Sequence, residues 1–225
     1  MHDGSRPGPE TSPQPAPLPP QTGLLPPEPA PPVSPLPEPL PIHAGRITVR
    51  RLQPSDLESF LAYRCNPSVG LYQGWTVMSR AEALAFLDEM SHTPCFPAGQ
   101  WCQLAIADRI ADQLLGDIGI HVQAAPETSA EVGFTLHPDW QGRGLAQEAV
   151  GAIIQALFTH TPVTHIVGIT DARNLASIRL LERLGMQKLR TDEAIFRGEP
   201  CIEHTYILRR PIAVTRPSTH LAQEP

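Results

Sequence analysis

The sequence predicts a single mixed α/β domain, in which a mostly antiparallel sheet of about seven strands is flanked by four helices. Short runs of alternating or β-branched apolar residues are typical of strands. They are interspersed with segments in which apolar residues recur every three or four positions, as in helices. The chain has 225 residues, of which 41% are hydrophobic. This composition is sufficient for one domain with a substantial core.

Proline is concentrated at the start of the chain, where more than half of the 27 prolines precede Ala44. Stretches such as PPQTGLLPPEPAPPVSPLPEPLP lack aromatic residues and cannot build a packed unit. We expect a disordered tail with polyproline II character over residues 1–43, a folded domain over residues 44–211 and a loose tail over residues 212–225. The first tail is either a solvated extension or a P-x-x-P segment that docks onto an aromatic-lined partner.

The first half of the domain begins with a strand pattern followed by two helix patterns. Ser79 and Glu82 form a capping-box pattern at the start of the second helix, and Ser55 precedes an acidic first turn of the first. The predicted elements are a strand over residues 46–52, helices over 55–65 and 79–90, and strands over 100–108 and 114–122.

The second half contains a long amphipathic helix pattern. Its apolar positions follow the i, i+3, i+4, i+7 rule and are Ala146, Ala149, Val150, Ile153, Ile154, Leu157 and Phe158. A strand over residues 130–138 precedes this helix. The elements after it are a strand over residues 165–171, a helix over 174–185, and two antiparallel strands in MQKLRTD and EHTYILRR. Asn174 caps the last helix and Gly185 ends it.

Charge and composition exclude several classes of function. A net charge of -6 and a pI near 5.8, with no long basic run, argue against a nucleic-acid-binding protein. The four cysteines contain no C-x-x-C pair and the histidines show no metal-ligand spacing, so we expect reduced thiols and no metal. We find neither a secretory signal pattern nor an apolar run of about 20 residues, so we expect a cytoplasmic protein without membrane contact.

A glycine-rich helix entrance, HPDWQGRGLAQEAV over residues 137–150, indicates an anion site. The first turn of a helix exposes unpaired N–H groups at its positive end, and Gly142 and Gly144 would let a phosphate approach them. Arg143 adds a charge. The motif lacks the Lys-Ser/Thr of a P-loop, and Gln147 stands where the dinucleotide fingerprint needs glycine. Taken alone, G-x-G before a helix is equally compatible with a simple turn.

Two motifs together make the resemblance specific. Gln141, Gly142, Arg143, Gly144, Leu145 and Ala146 match the Q/R-x-x-G-x-G/A signature of the GNAT superfamily of acyl-CoA-dependent N-acetyltransferases. The segment DARNLASIRLLERLGM over residues 171–186 resembles the D-x-x-N-x-x-S-x-x-x-L-E-[KR]-x-G-F block of the branch containing ribosomal-protein N-terminal acetyltransferases. Met186 replaces the usual aromatic residue. The resemblance covers roughly residues 46–210.

This resemblance implies an acetyl-CoA-dependent N-acetyltransferase that moves an acetyl group to a primary amine by direct attack in a ternary complex. It implies a splayed strand pair, formed by residues 130–137 and 165–171, that opens a slot for acyl-CoA. The cofactor-binding residues it implies are Leu136, Gln141, Gly142, Arg143, Gly144, Leu145, Ala146 and Asn174. Leu136 is also suited to core packing, and Asn174 to capping alone.

Catalytic groups are less clearly marked. Many members have a tyrosine seven residues after the asparagine, where this chain has Leu181. Ser177 is the substitute donor for the leaving thiolate, unless solvent supplies the proton. Glu131 is the candidate general base acting through water, although a structural carboxylate is an alternative. His121 is the second candidate base.

The acceptor is not identified by the sequence. Tyr72 and Trp75, in the loop CNPSVGLYQGWTV, either line an acceptor pocket or pack the loop onto the sheet. The expected acceptor is an amine of a protein N-terminus or a small molecule, and a homodimer is compatible with the family. A non-catalytic acyl-CoA-binding or sensing domain is the alternative function.

Overall fold

The computed structural model describes residues 38–126 and 128–211. Residues 1–37 of the predicted N-terminal tail and the whole predicted C-terminal tail lie outside the described residues. Those two predictions therefore stay predictions.

Eight strands and five α-helices form the described fold. The strands are β1 (Ile42–Ala44), β2 (Ile47–Arg51), β3 (Trp101–Asp108), β4 (Leu114–Val122), β5 (Ser129–Leu136), β6 (His165–Asp171), β7 (Gln187–Phe196) and β8 (Glu199–Arg209). The α-helices are α1 (Leu57–Arg64), α2 (Pro67–Gly70), α3 (Arg80–His92), α4 (Leu145–His160) and α5 (Leu175–Arg183). Short 3-10 helices lie at Pro54–Asp56 and Pro138–Trp140.

All strands belong to one sheet with the order β1-β2-β3-β4-β5-β6-β8-β7. Every neighbouring pair among the described strands is antiparallel except β5 and β6. This parallel pair is joined only from Ser129 opposite His165 to Glu131 opposite Val167. Beyond this point the two strands continue without pairing. We call the gap between residues 132–136 of β5 and residues 168–171 of β6 the slot, and it is the splayed pair that the resemblance implies.

The two faces of the sheet carry separate hydrophobic clusters. Leu104 and Ile106 of β3 pack with the apolar side of α4, whereas Ala105 between them packs with the cluster of α1 and α3. This division follows from the alternation of side chains along a strand. On the α4 side, α5 covers the β6–β8 region through Leu181, Met186 and Tyr206.

The sheet begins earlier than the sequence suggests. Ile42 and His43, assigned to the tail, lie in β1, and β1 pairs with β2 across a turn at Gly45 with φ +55°. A three-residue strand that follows a run of prolines has too little alternation to be recognised. For this reason the sheet has eight strands rather than seven.

Two further differences concern residues 65–77 and the last two strands. A short helix, α2, occupies part of the predicted loop over residues 65–77, and Asn66 caps it by accepting from the N–H of Ser68. Strands β7 and β8 are longer than predicted and meet at Arg197 and Gly198, which have φ of 52° and 83°. Positive φ at both central positions is the requirement of a tight type I′ hairpin turn.

Candidate active site

The glycine-rich segment forms an open anion-binding loop, which we call the anion loop (residues 141–146). Gly142 and Gly144 have φ of 71° and 80°, a backbone region that favours glycine. The N–H groups of residues 142–146 donate to no atom of the described residues. Apart from Gly142 itself and its two chain neighbours, no atom of the described residues lies within 4 Å of the position that a Cβ on Gly142 would take. The loop therefore offers a row of free donors at the positive end of α4, with space above them.

Two contacts hold the anion loop in place. Gln141 donates from Nε2 to the carbonyl oxygen of Leu136 at 2.9 Å, which fastens the loop to the end of β5. Arg46 donates from Nη2 to the carbonyl oxygen of Arg143 at 2.7 Å and forms an ion pair with Glu148 in the first turn of α4. Gln141 and Leu136, both predicted to bind the cofactor, are thus bonded to each other.

A cavity of about 540 Å³ connects the anion loop to the slot. Its walls come from the C-terminal end of β5, from the start of α4, from α5, and from α2 with the segment that follows it. A smaller cavity of about 60 Å³ continues between β5 and β6. Both cavities are lined by Tyr72, Gln73, Phe134, Asn174 and Ser177. The structure thus brings all of the predicted cofactor-binding residues except Arg143 onto the surface of these cavities.

Asn174 and Ser177 are two polar residues that line this surface. The Oδ1 atom of Asn174 accepts from the N–H of Ser177 at 3.2 Å, so Asn174 caps α5 as predicted. Its Nδ2 donors form no hydrogen bond with the described residues, and neither does the hydroxyl of Ser177. The capping role and a ligand-binding role of Asn174 are therefore compatible.

Leu181 has a structural role at the position where the resemblance described above implies a tyrosine in many members. It is 1% exposed and lines the smaller cavity. A Cβ on Gly168 of β6 would lie only 2.8 Å from Cδ2 of Leu181. The absence of a side chain at Gly168 is what lets Leu181 close the α5 side of the slot.

Glu131 lies at the closed end of the slot, as the last residue of β5 that pairs with β6. Its neighbours Ala130 and Val132 pack in the α4 cluster, so Glu131 points to the opposite face of the sheet. His121 is directly opposite on β4, and its ring packs against Trp101 with 5.3 Å between centroids. Partial burial raises the pKa of Glu131, His121 opposes this rise, and Glu203 of β8 adds to it.

Asp171 and Glu203 are paired across β6 and β8 on the same face as Glu131. Asp171 forms an ion pair with Arg173 at 2.6 Å, and the hydrogen bond from Arg173 lowers the pKa of this carboxyl. Glu203 has no ion-pair partner among the described residues. This side of the slot is therefore acidic, whereas the anion loop is basic.

Tyr72 and Trp75 have different surroundings. Tyr72 lines both cavities, and the guanidinium of Arg173 lies 6.0 Å from its ring. Trp75 lines neither, and its ring lies 3.9 Å from the guanidinium of Arg64. Of the two sequence alternatives, the position of Trp75 favours loop packing and the position of Tyr72 favours substrate contact.

Gln73 and Arg197 also lie at the site, although no sequence pattern indicates them. Gln73 donates from Nε2 to the carbonyl oxygen of Phe134 at 3.3 Å, across the mouth of the slot. Arg197, in the β7–β8 turn, donates to the carbonyl oxygens of Gln73 and Trp75 at 2.8 and 2.7 Å. A glutamine in a loop and an arginine in a turn carry no local signal, because their partners are far away along the chain.

A buried network of charged and polar side chains around Asp117 connects α1 to the sheet. Asp117 of β4 is fully buried and accepts from the Tyr63 hydroxyl at 2.5 Å and from Arg64 Nη2 at 2.9 Å. Gln103 of β3 donates to its other oxygen at 2.6 Å. Burial, together with the nearby Asp117 charge, raises the pKa of Tyr63 well above its ordinary value. The Arg64 guanidinium also packs against the Trp75 ring, so the network extends to the loop after α2.

Comparison with known proteins identifies the family. Residues 46–187 match the model of the acetyltransferase (GNAT) domain. The chain is 26% identical over 151 residues to the uncharacterized N-acetyltransferase p20 of Bacillus licheniformis, covering 65% of this chain and 82% of that protein. The chain belongs to the GNAT family and is an N-acetyltransferase, which confirms the resemblance seen in the sequence.

Solved structures show the same fold. An acetyltransferase (GNAT family) from Bacillus anthracis has a TM-score of 0.67 at 21% identity, covering 76% of this chain and 98% of that chain. The ribosomal-protein-S5-alanine acetyltransferase from Vibrio fischeri has a TM-score of 0.60 at 17% identity, covering 76% and 96%. The mixed, mostly antiparallel fold that the sequence predicts is confirmed.

Within residues 38–126 and 128–211, no group of three or more His, Cys, Asp or Glu side chains is placed to hold a metal ion. No helix in that same part of the chain has the length and apolar character needed to cross a membrane.

Proposed function

We propose that this protein transfers the acetyl group of acetyl-CoA to a primary amine by direct attack in a ternary complex. One observation carries the proposal. A single cavity connects the free N–H groups of the anion loop with the slot where β5 and β6 separate, and the acidic face with Glu131 lies at the closed end of that slot. A phosphate-bearing thioester and an amine could meet there from opposite sides of the sheet.

The donor side is built for a long ligand with a diphosphate at one end. The N–H groups of residues 142–146 would hold the diphosphate, and Arg143 would add charge. The free Nδ2 donors of Asn174 and the unpaired edges of β5 and β6 would hold the amide groups of the pantetheine arm. In the structure, the side-chain amide of Gln73 donates to the carbonyl oxygen of Phe134. Gln73 would have to move aside if a pantetheine amide were to donate to the same oxygen.

The amine must lose a proton before it attacks the thioester carbonyl. Glu131 would accept this proton through a water molecule, and its raised pKa makes it a better base than an ordinary carboxylate. An α-amino group, with a pKa of about 8, loses its proton more easily near neutral pH than a lysine amine, with a pKa of about 10.4. His121 faces Glu131 and would stabilise its charged form when protonated.

The carbon–sulfur bond then breaks and the thiolate needs a proton. Ser177 is the proposed donor, because this residue lines both cavities and its hydroxyl makes no hydrogen bond with the described residues. Its own proton would be replaced from solvent. The reaction forms one amide and one thiol and requires no metal or redox partner.

The acidic face supports an amine acceptor. Glu131 and Glu203 would attract a protonated amine to the slot, where it is then neutralised. Among proteins with this fold, the ribosomal-protein-S5-alanine acetyltransferase is named for a protein acceptor. A protein N-terminus and a small-molecule amine are the two acceptor classes that we propose, and Tyr72 is the residue placed to contact either.

The test is thiol release from acetyl-CoA by the purified full chain, with a panel of N-terminal peptides and small amines against a control without acceptor. Acceptor-dependent release, with the acetylated amine identified by mass spectrometry, is the expected result. Tight binding of coenzyme A without acceptor-dependent release across the panel would contradict the proposal and indicate an acyl-CoA-binding domain instead.

A further inference from the structure

Most arginines of the described chain are already bonded to another group. The side chains of Arg143, Arg179, Arg183 and Arg209 are the exceptions, since none of them forms a hydrogen bond or an ion pair within residues 38–126 and 128–211. Arg143 only lies over the Trp140 ring, at 4.9 Å. Arg143 belongs to the anion loop, and Arg179 and Arg183 belong to α5. Both the anion loop and α5 line the larger cavity.

Arg179 and Arg183 lie on one side of α5, one turn apart, and both line the larger cavity. Gln147, in the first turn of α4, lines the same cavity. One turn further along α4, a Cβ on Gly151 would lie 3.5 Å from Leu184 at the end of α5. The C-terminal half of α5 therefore packs beside the start of α4, and its two arginines lie just beyond the anion loop.

Nearby carboxylates do not neutralise these arginines. Glu148 of α4 is engaged by Arg46, and Glu182 of α5 accepts from the Tyr206 hydroxyl at 3.1 Å. Arg179 and Arg183 are both exposed, so water covers their charges in the absence of a ligand. Two adjacent unpaired guanidinium groups at the mouth of an anion-binding cavity match a second anionic group on the ligand.

We propose that Arg179 and Arg183 bind the 3′-phosphate of coenzyme A, an inference that rests on the proposed function. The anion loop already provides backbone donors and Arg143 for the diphosphate. The slot takes the opposite end of the ligand, the end that carries the thioester. The remaining anion of coenzyme A is the 3′-phosphate on the ribose, which follows the diphosphate along the molecule, and Arg179 and Arg183 are the unpaired cations in the lining of the same cavity.

The experiment compares coenzyme A with 3′-dephospho-coenzyme A by calorimetric titration of the full chain. Coenzyme A should bind about tenfold to thirtyfold more tightly at low salt, because two exposed charge-assisted contacts are lost with the phosphate. The double variant Arg179→Gln/Arg183→Gln should reduce this ratio to about one while its affinity for 3′-dephospho-coenzyme A stays near the wild-type value. Arg209→Gln is the matched control, because Arg209 is equally unpaired but lies on β8 and lines neither cavity.

The possible results distinguish a failure of the 3′-phosphate assignment from a failure of the proposed function. A wild-type ratio near one, or a ratio that the double variant leaves unchanged, would overturn the assignment of the 3′-phosphate. Equal weakening of both ligands in the double variant would assign the arginines to the diphosphate and would also overturn it. If the wild-type protein bound neither ligand, the proposed function would fail, and this inference with it.

Discussion

The position of Glu131 affects both catalysis and the stability of the folded protein. It is partly buried at the closed end of the slot, and burial raises its pKa, with Glu203 adding to the rise and His121 opposing it. A raised pKa favours proton acceptance but makes the ionised form costly to keep in the folded protein. Two predictions follow, one for the rate and one for stability.

Glu131→Gln should lower kcat by about a hundredfold, because the amide cannot accept the proton of the amine. The KM for acetyl-CoA should change little, since Glu131 points away from the α4 side of the sheet. Steady-state kinetics with saturating acceptor give both values. In the comparison variant Glu203→Gln, the pKa of Glu131 should fall, so the acid limb of the rate profile should move to lower pH. A kcat of Glu131→Gln close to wild type would show that solvent is the base.

The same substitution should stabilise the folded protein near neutral pH. A carboxyl whose pKa is raised on folding contributes stability below its unfolded pKa, and this contribution is lost as pH rises through the folded value. Wild-type stability should therefore fall over that acidic window, and Glu131→Gln should not show the fall. Scanning calorimetry should give a higher Tm for the variant at pH 7 and nearly equal Tm values below the ordinary carboxylate pKa of about 4.3. A variant less stable than wild type at pH 7 would contradict the assigned effect of burial.

Leu181 shows why a family position cannot be transferred by residue type alone. Its side chain is buried and lies over Gly168, within 2.8 Å of the place that a Cβ there would occupy. Leu181→Tyr should therefore destabilise the protein by about 1–3 kcal/mol through overpacking, rather than restore a proton donor. Urea unfolding measures the loss, and Leu181→Met is the control of similar volume. A stable Leu181→Tyr variant with a higher kcat would show instead that the slot can accept the phenol.

At the scale of elements, the junction between α1 and the sheet depends on one buried carboxylate. Asp117 is fully buried and accepts hydrogen bonds from Tyr63, Arg64 and Gln103. Asp117→Asn should cost about 3–5 kcal/mol, because it leaves the buried Arg64 guanidinium without its counter-charge. Arg80→Gln is the comparison: it breaks the exposed ion pair with Glu58 and should leave the free energy of unfolding almost unchanged in the same urea titration. Equal costs for the two variants would contradict this account of the network.

Elements with their own periodicity could be predicted from the sequence, and elements defined by their partners could not. The helix over residues 145–160 carries its apolar pattern, and α3 carries the Ser79–Glu82 capping box, which the structure contains. Strand β1 has only three residues and depends on β2 for its hydrogen bonds. The pattern in MQKLRTD predicts the first part of β7, but β7 continues to Phe196 at the exposed edge of the sheet, where its residues lack the alternation that marks a half-buried strand.

The candidate site divides in the same way. The anion loop and the Asn174 cap were predicted, because glycine before a helix and asparagine at an N-cap act through local backbone geometry. The contact of Arg197 with Gln73 joins a hairpin turn to a loop early in the domain, and no short pattern reports such a contact. Likewise, the unpaired state of Arg179 and Arg183 is a property of their surroundings, and only the folded chain shows it.

At the scale of the whole molecule, charge is divided across the slot. The C-terminal half of α5 presents Arg179 and Arg183 to the larger cavity, and Arg143 of the anion loop lies next to it over the Trp140 ring. The opposite face presents Glu131 and Glu203. An anionic donor and a cationic acceptor would thus be drawn to opposite faces of one sheet. A single net charge of -6 conceals this division, because it sums the two faces.

The boundary of the folded domain gives the last prediction. The domain assigned from the sequence began at Ala44, but the sheet begins at Ile42, and Glu38 forms an ion pair with Arg51 of β2. Deletion of residues 1–37 should therefore leave kcat and Tm near those of the full chain. Deletion of residues 1–44 should lower Tm, because it removes β1 and the partly buried Leu40 and Ile42 that pack against the core. Matched thermal scans and thiol-release assays of the two truncations test this. If the shorter deletion lost turnover while keeping its Tm, the proline-rich segment would take part in the reaction, and the interpretation of it as a dispensable extension would be wrong.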